Sequence, residues 1–132
     1  MIYESDLIKK IFGCDNELDR FDILALEALK APKYPAKKKT DEYRAASCDT
    51  KTWICPAEDY GDFYVESDSL FVKGLCVAMI EAIKNIPAGA EKTGFADECY
   101  ERGIVTARRR DGLRGIEEII LKYLNKSQGE QK

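Results

Sequence analysis

Two helical blocks on either side of a short aromatic-rich stretch predict an α+β domain. Three observations carry this reading. Apolar residues recur at helical spacing through residues 3–31 and again from residue 68 onward. Between residues 41 and 66 the pattern changes to short runs rich in aromatic and β-branched residues. Prolines and glycines fall at the junctions, at Gly13, Pro32, Gly61, Pro87 and Gly103.

The elements follow in order. Leu7, Ile8, Ile11 and Phe12 form a stripe that predicts a first helix over 3–12, ended by Gly13. Asp15 or Asn16 can cap a second helix, in which Phe21, Leu24, Ala25, Ala28 and Leu29 recur until Pro32 stops it. Residues 32–40, with two prolines and the run Lys37-Lys38-Lys39, read as an exposed connection whose charge is solvated or meets a partner. Runs at 43–46, 51–55 and 62–66 predict an antiparallel meander of three strands, with Tyr60-Gly61 turning between the last two. By alternation Cys55 shares a sheet face with Trp53 and Lys51, which reads as a packed strand residue. Ser67-Asp68-Ser69 offers caps for a buried helix over 68–85 that is apolar at nearly every position from Leu70 to Ile83, Cys76 included. Gly74 weakens that helix by about 1 kcal/mol relative to alanine, so it implies close approach of another part of the chain. A shorter helix over 95–102 holds Cys99 and ends at Gly103 as its left-handed terminator. The last helix is expected over 111–125, with Leu113, Ile116, Ile120, Tyr123 and Leu124 on one face, and residues 127–132 as a frayed tail.

At 132 residues the chain suits one domain, 1–132, with one core. Its net charge of −3 and pI near 5.1 argue against broad nucleic-acid binding, which needs a basic surface to release counterions. The longest apolar stretch, 75–80, is far too short to span a bilayer, and no basic-then-apolar leader precedes the domain, so a cytoplasmic location is expected. Five cysteines, Cys14, Cys48, Cys55, Cys76 and Cys99, form an odd set without a Cys-x-x-Cys pair, which favours reduced thiols over a disulfide framework. Their spacing shows no recurring metal-ligand pattern.

Two features carry chemistry. Cys48 is a cysteine among polar residues at a bend, in Ser47-Cys48-Asp49-Thr50-Lys51-Thr52-Trp53, and nothing local would bury its thiol. Lys51 would favour a thiolate there and Asp49 would oppose it, so local charge leaves an idle surface thiol and a reactive one both open. The chain contains no histidine, which removes Cys-His dyads and imidazole bases. Thiol exchange needs neither, because one thiolate attacks sulfur and another leaves. Arg108-Arg109-Arg110 stands just before the last helix, where the helix dipole disfavours cations. Either these arginines pair with surface carboxylates such as Glu101, or one of them meets an anion, an acidic partner or a thiolate.

The thiol segment resembles the Gly-Cys-Gln-Ser-x-Val-Trp motif of the SufE family of sulfur-acceptor proteins. Two further stretches agree in order and spacing. Ser67-Asp68-Ser69-Leu70-Phe71-Val72-Lys73-Gly74-Leu75 is similar to the family's Ser-Asp-x-x-x-Val-Lys/Arg-Gly-Leu helix start. Thr106-Ala107-Arg108-Arg109-Arg110-Asp111-Gly112-Leu113 is similar to its Thr-Pro-Ser-Arg-x-x-Gly-Leu turn. The opening from Cys14-Asp15 through Asp19-Arg20-Phe21 also fits, so the resemblance covers almost the whole chain. Ser47 and Asp49 stand where the family has glycine and glutamine, and Ile104 and Ala107 where it has histidine and proline.

The resemblance implies a SufE/IscU-like fold, with the sheet covered on one side by helices and the thiol loop at one edge. It implies Cys48 as the acceptor of persulfide sulfur, Arg109 as the arginine near the partner contact, and Gly74 as a structural match. The implied partner is a pyridoxal-phosphate cysteine desulfurase of the SufS-like kind, which the chain stimulates as a sulfur carrier rather than a stand-alone enzyme. Sulfur would pass on to a scaffold for iron-sulfur cluster assembly. No cofactor or metal held by this chain is expected, nor a membrane or nucleic-acid partner, and a homodimer stays open. The alternatives are a metal or cluster scaffold using Cys48, Cys55, Cys99 and Asp49, and an interaction module in which Cys48 is incidental.

Overall fold

A computed structural model describes residues 5–58, 62–86 and 93–130, with side chains described to residue 125. Among these residues the order is α1 (Asp6–Gly13), α2 (Glu17–Lys30), two 3-10 turns (Ala36–Lys38 and Asp41–Tyr43), β1 (Thr52–Pro56), β2 (Phe63–Ser67), α3 (Leu70–Lys84), α4 (Phe95–Glu101) and α5 (Ala107–Glu130). The expected α+β class holds. No helix here is long and apolar enough to cross a membrane.

Capping side chains set most helix starts. Ser5 Oγ accepts from Ile8 N at 3.2 Å and Asn16 Oδ1 from Asp19 N at 2.8 Å, so Asn16 rather than Asp15 caps α2. Arg20 on α2 reaches back to donate to the Ile11 and Cys14 carbonyls, each at 3.2 Å, which satisfies the end of α1 and locks the two helices together. Ser69 Oγ accepts from Val72 N at 3.2 Å, so α3 starts at Leu70, two residues later than the sequence suggests. α3 is the central helix, with nine buried residues including Leu75, Cys76, Met79 and Ile83. Gly74 makes the close approach that its place in a helix implies. A Cβ there would lie 2.8 Å from both the carbonyl carbon and the Cβ of Leu24, so α2 and α3 touch backbone to side-chain root. Gly103, at φ 76°, ends α4 in the left-handed conformation as expected, and Ile104 N donates to Cys99 O at 2.8 Å. Glu117 on α5 is buried and accepts from both Thr93 N and Thr93 Oγ1 at 2.6 Å. Thr93 Oγ1 in turn accepts from Phe95 N, so this relay fixes the start of α4 against α5.

The sheet departs from expectation. Among the described residues it has two antiparallel strands, paired from Thr52 opposite Ser67 to Pro56 opposite Phe63, and no third. The run at 43–46 enters a 3-10 turn, with Tyr43 N bonded to Thr40 O and Arg44 N to Asp41 O, and then turns again as Cys48 N bonds Ala45 O. Between two turns there is room for only one bridge, Arg44 opposite Trp53, and one further bond from Ala45 N to Thr52 O at 2.8 Å. The predicted turn at Tyr60-Gly61, the stop at Pro87 and the first residues of the first predicted helix lie outside the described residues.

The connection 32–40 is also less exposed than its lysines suggest. Ile54, Phe63 and Val65 face the helical core, while Trp53 and Cys55 form a second cluster with the buried Tyr34, against which Tyr43 and Tyr64 pack. Tyr34 donates to Lys38 O at 2.7 Å, and the Lys39 ammonium sits 4.7 Å from the centre of the Trp53 ring. The sheet is therefore covered on both faces, by helices on one and by this strap on the other. Lysine stems can lie over aromatic rings while their heads stay wet, which composition alone does not reveal.

α5 differs at both ends from the expected 111–125. Thr106 Oγ1 accepts from Arg109 N at 3.2 Å, so the helix begins at Ala107 and takes all three arginines into its first turn. Its backbone stays helical through Glu130, so the tail expected to fray from 127 is helical to that point, and 131–132 lie outside the described residues.

Candidate functional site

Cys48 follows the tight turn that leaves the lone bridge, in the loop that feeds β1. Its own neighbours are polar, yet the thiol is half-buried rather than exposed. α3 and α5 supply the apolar walls that the local sequence lacks. The side chain packs against the main core, and a methyl placed on Gly112 of α5 would meet Cys48 Sγ at 3.4 Å. It opens on a cavity of about 160 Å3, with Val72, Leu75 and Leu113 as its apolar floor and Asp49, Thr106, Arg108 and Arg109 around it. A void of about 10 to 15 Å3 on this measure accommodates one water, so there is ample space for one more sulfur atom on the thiol.

The three arginines separate into three roles. Arg108 forms an ion pair with Asp49, the residue after the thiol. Arg110 pairs with Asp111 at 3.2 Å and lies 4.4 Å from the centre of the Tyr100 ring on α4. Arg109 has no carboxylate partner among the described residues; it rests 5.3 Å from the centre of the Phe71 ring, which stacks on Phe21 at 6.4 Å. Glu101, the carboxylate expected from sequence, is not one of the partners. Two neighbouring carboxylates and two ring faces thus offset the unfavourable placement of cations at a helix start. Arg109 keeps hydrogen-bonding capacity beside the cavity.

The other thiols are placed differently. Cys14 is half-buried and its thiol donates to Lys10 O at 3.2 Å, while Cys55, Cys76 and Cys99 are buried. Burial pushes the Cys99 thiol up to about 12, against the lowering effect of Arg20. Burial raises Cys76 as well, and the nearby Cys48 adds to it. Cys55 sits on the outer sheet face beside Tyr34, whose phenol is pushed above its ordinary range by burial first and by the neighbouring thiol after it. Among the described residues no three His, Cys, Asp or Glu side chains are grouped as metal ligands, and Cys48, Cys55 and Cys99 are not brought together.

Sequence reasoning missed two parts of this site. One is the Phe21–Phe71 platform under Arg109, since both rings read simply as members of apolar stripes. The other is the seat of Ser47, whose hydroxyl donates to Gly112 O at 3.1 Å across 65 residues of chain. The spacing Gly112-x-x-Gly115 within a helical pattern was its one available signal.

A scan of protein families matches residues 5–124 to SufE, described as an Fe-S metabolism associated domain. The chain belongs to the SufE family. The match spans every element except the last residues of α5 and includes the thiol loop, the α3 start and the arginine turn of this SufE domain. Membership places the SufE chain in iron-sulfur metabolism. No curated protein gives a significant match.

Proposed function

We propose that Cys48 accepts persulfide sulfur from a cysteine desulfurase, and that the chain hands this sulfur on for iron-sulfur cluster assembly while stimulating the donor. The observation that carries the reading is a half-buried thiol opening on a cavity with an apolar floor and arginines beside it. The Cys48 thiolate attacks the outer sulfur of the donor's Cys–S–SH. A bond from Cys48 Sγ to that sulfur forms as the donor's sulfur–sulfur bond breaks, the donor cysteine leaves as a thiolate, and the proton stays on the transferred sulfur. The exchange is redox-neutral and needs no separate base, which suits a chain without histidine. Apolar walls then shelter the new persulfide from reductants. Arg109, lacking a carboxylate partner among the described residues, is suited to contact the donor or the anionic sulfur. To meet a donor the loop must swing outward, because the thiol now lies against α5.

The test is incubation with a cysteine desulfurase and cysteine, followed by intact-mass analysis. The expected result is a gain of one sulfur atom on the wild type and on Cys55→Ser, and none on Cys48→Ser. Retention of the gain in Cys48→Ser overturns the assignment.

A further inference from the structure

The three residues of the thiol loop lie along one stripe of α5. Asp49 pairs with Arg108, Cys48 lies against Gly112, and Ser47 lies against Gly115. Positions 108, 112 and 115 are spaced by four and then three, which is one face of a helix. The loop is therefore docked along the helix. Its three contacts differ in strength. Arg108 and Asp49 are both largely exposed, and such a pair holds a loop weakly. Cys48 contributes packing only. Ser47 contributes a hydrogen bond to Gly112 O at 3.1 Å and also a shape fit.

That fit is close. A Cβ added at Gly115 would lie well under 3.0 Å from both Oγ and Cβ of Ser47, nearer than real Cβ atoms come. Rotating the hydroxyl relieves only the first clash, because the serine Cβ is fixed by the backbone. Glycine at 115 is thus the condition for serine at 47 to sit down. Ser47 as a whole remains solvent-exposed, so water can replace the Gly112 carbonyl as acceptor and the seat can empty without unfolding the domain.

We propose that Ser47 is a positioning residue for the acceptor thiol: seated in the Gly115 notch and bonded to the Gly112 carbonyl, it keeps Cys48 turned inward under α5, and its release presents the thiol. This rests on Cys48 being the sulfur acceptor, but the latch itself is measurable without any partner.

The experiment is native alkylation of Cys48 by iodoacetamide, read by peptide mass analysis, in the wild type, Ser47→Gly, Gly115→Ala and the double variant. Losing one hydrogen bond shifts the open population, so Ser47→Gly is expected to react roughly 2- to 10-fold faster. Gly115→Ala is expected to accelerate the reaction at least as much, with no fall in melting temperature, because alanine favours the helix. The double variant should match Ser47→Gly alone. Once the serine side chain is gone, the added methyl faces only the Cα of residue 47 at 3.9 Å, an ordinary contact. The buried Cys76 reports general loosening and should stay unreactive in all four. Equal rates in the wild type and Ser47→Gly, additive effects in the double variant, or parallel acceleration at Cys76 each overturn the latch. Sulfur loading of the same proteins separates the two ideas. Loading with no latch effect sinks the latch alone, and a latch effect with no loading in any variant sinks the acceptor role alone.

Discussion

Replacing Gly74 by alanine adds one methyl where α3 crosses α2. That Cβ would sit 2.8 Å from the carbonyl carbon and the Cβ of Leu24 and nearer still to its oxygen, whereas ordinary contacts lie at 3.4–4 Å. The obstacle is backbone, so no side-chain rotation relieves it, and α2 must retreat by about 1 Å over a well-packed interface that includes the fully buried Leu24 and Leu75. Overpacking of this kind costs about 1 to 3 kcal/mol and backbone obstruction argues for the upper end, while alanine returns about 1 kcal/mol in helix propensity. The net expectation is a loss of about 2 kcal/mol. With an unfolding entropy of about 2.1 cal/mol/K per residue over 132 residues, that lowers the melting temperature by about 7 °C. Thermal unfolding followed by circular dichroism and calorimetry measures it. A Gly74→Ala protein that melts at or above the wild-type temperature would refute the backbone contact and with it the reason for glycine at this position.

Two further expectations concern buried polar groups. Cys99 is pushed up to about 12 and Cys76 is raised too, both chiefly by burial, from an ordinary thiol value of 9.0. The folded chain holds these protons after the unfolded chain has released them. Stability is therefore complete below pH 9 and falls as pH rises above it, by about 1.4 kcal/mol per pH unit per thiol. Denaturant midpoints under reducing conditions should be flat to about pH 8.5 and then decline, and a flat profile to pH 10.5 contradicts the burial of these thiols. Glu117→Ala removes the acceptor of both Thr93 bonds and leaves a buried amide unpaired, for a loss of about 3 kcal/mol, whereas Glu117→Gln keeps one carbonyl oxygen and loses less. Equal melting temperatures for the two variants would show that the relay does not hold α4 in place.

Much of the frame was readable residue by residue. The existence of α1, α2 and α3 and the turn at Gly103 are local features, fixed by side chains three or four positions apart, whereas the choice of Asn16 and Ser69 as caps and the exposure of Phe21 and Leu29 on the expected α2 stripe were decided by the fold. The third strand was not readable, because aromatic and β-branched composition at 43–46 says nothing about the turns on either side that leave it one bridge. The start of α5 was misplaced for a related reason. Three consecutive arginines look unlike a first turn until Asp49, Phe71, Asp111 and Tyr100 are seen to receive the charges.

Cys48 marks the division most clearly. Its order in the chain, its polar neighbours and its motif follow from the residues alone, and so does the α+β class, because periodicity and capping act over one or two turns. Its half-buried state, its apolar cavity and the serine seated on a glycine notch belong to the folded molecule. They depend on a loop meeting a helix 65 positions away, and that encounter exists only once α3 and α5 have packed together.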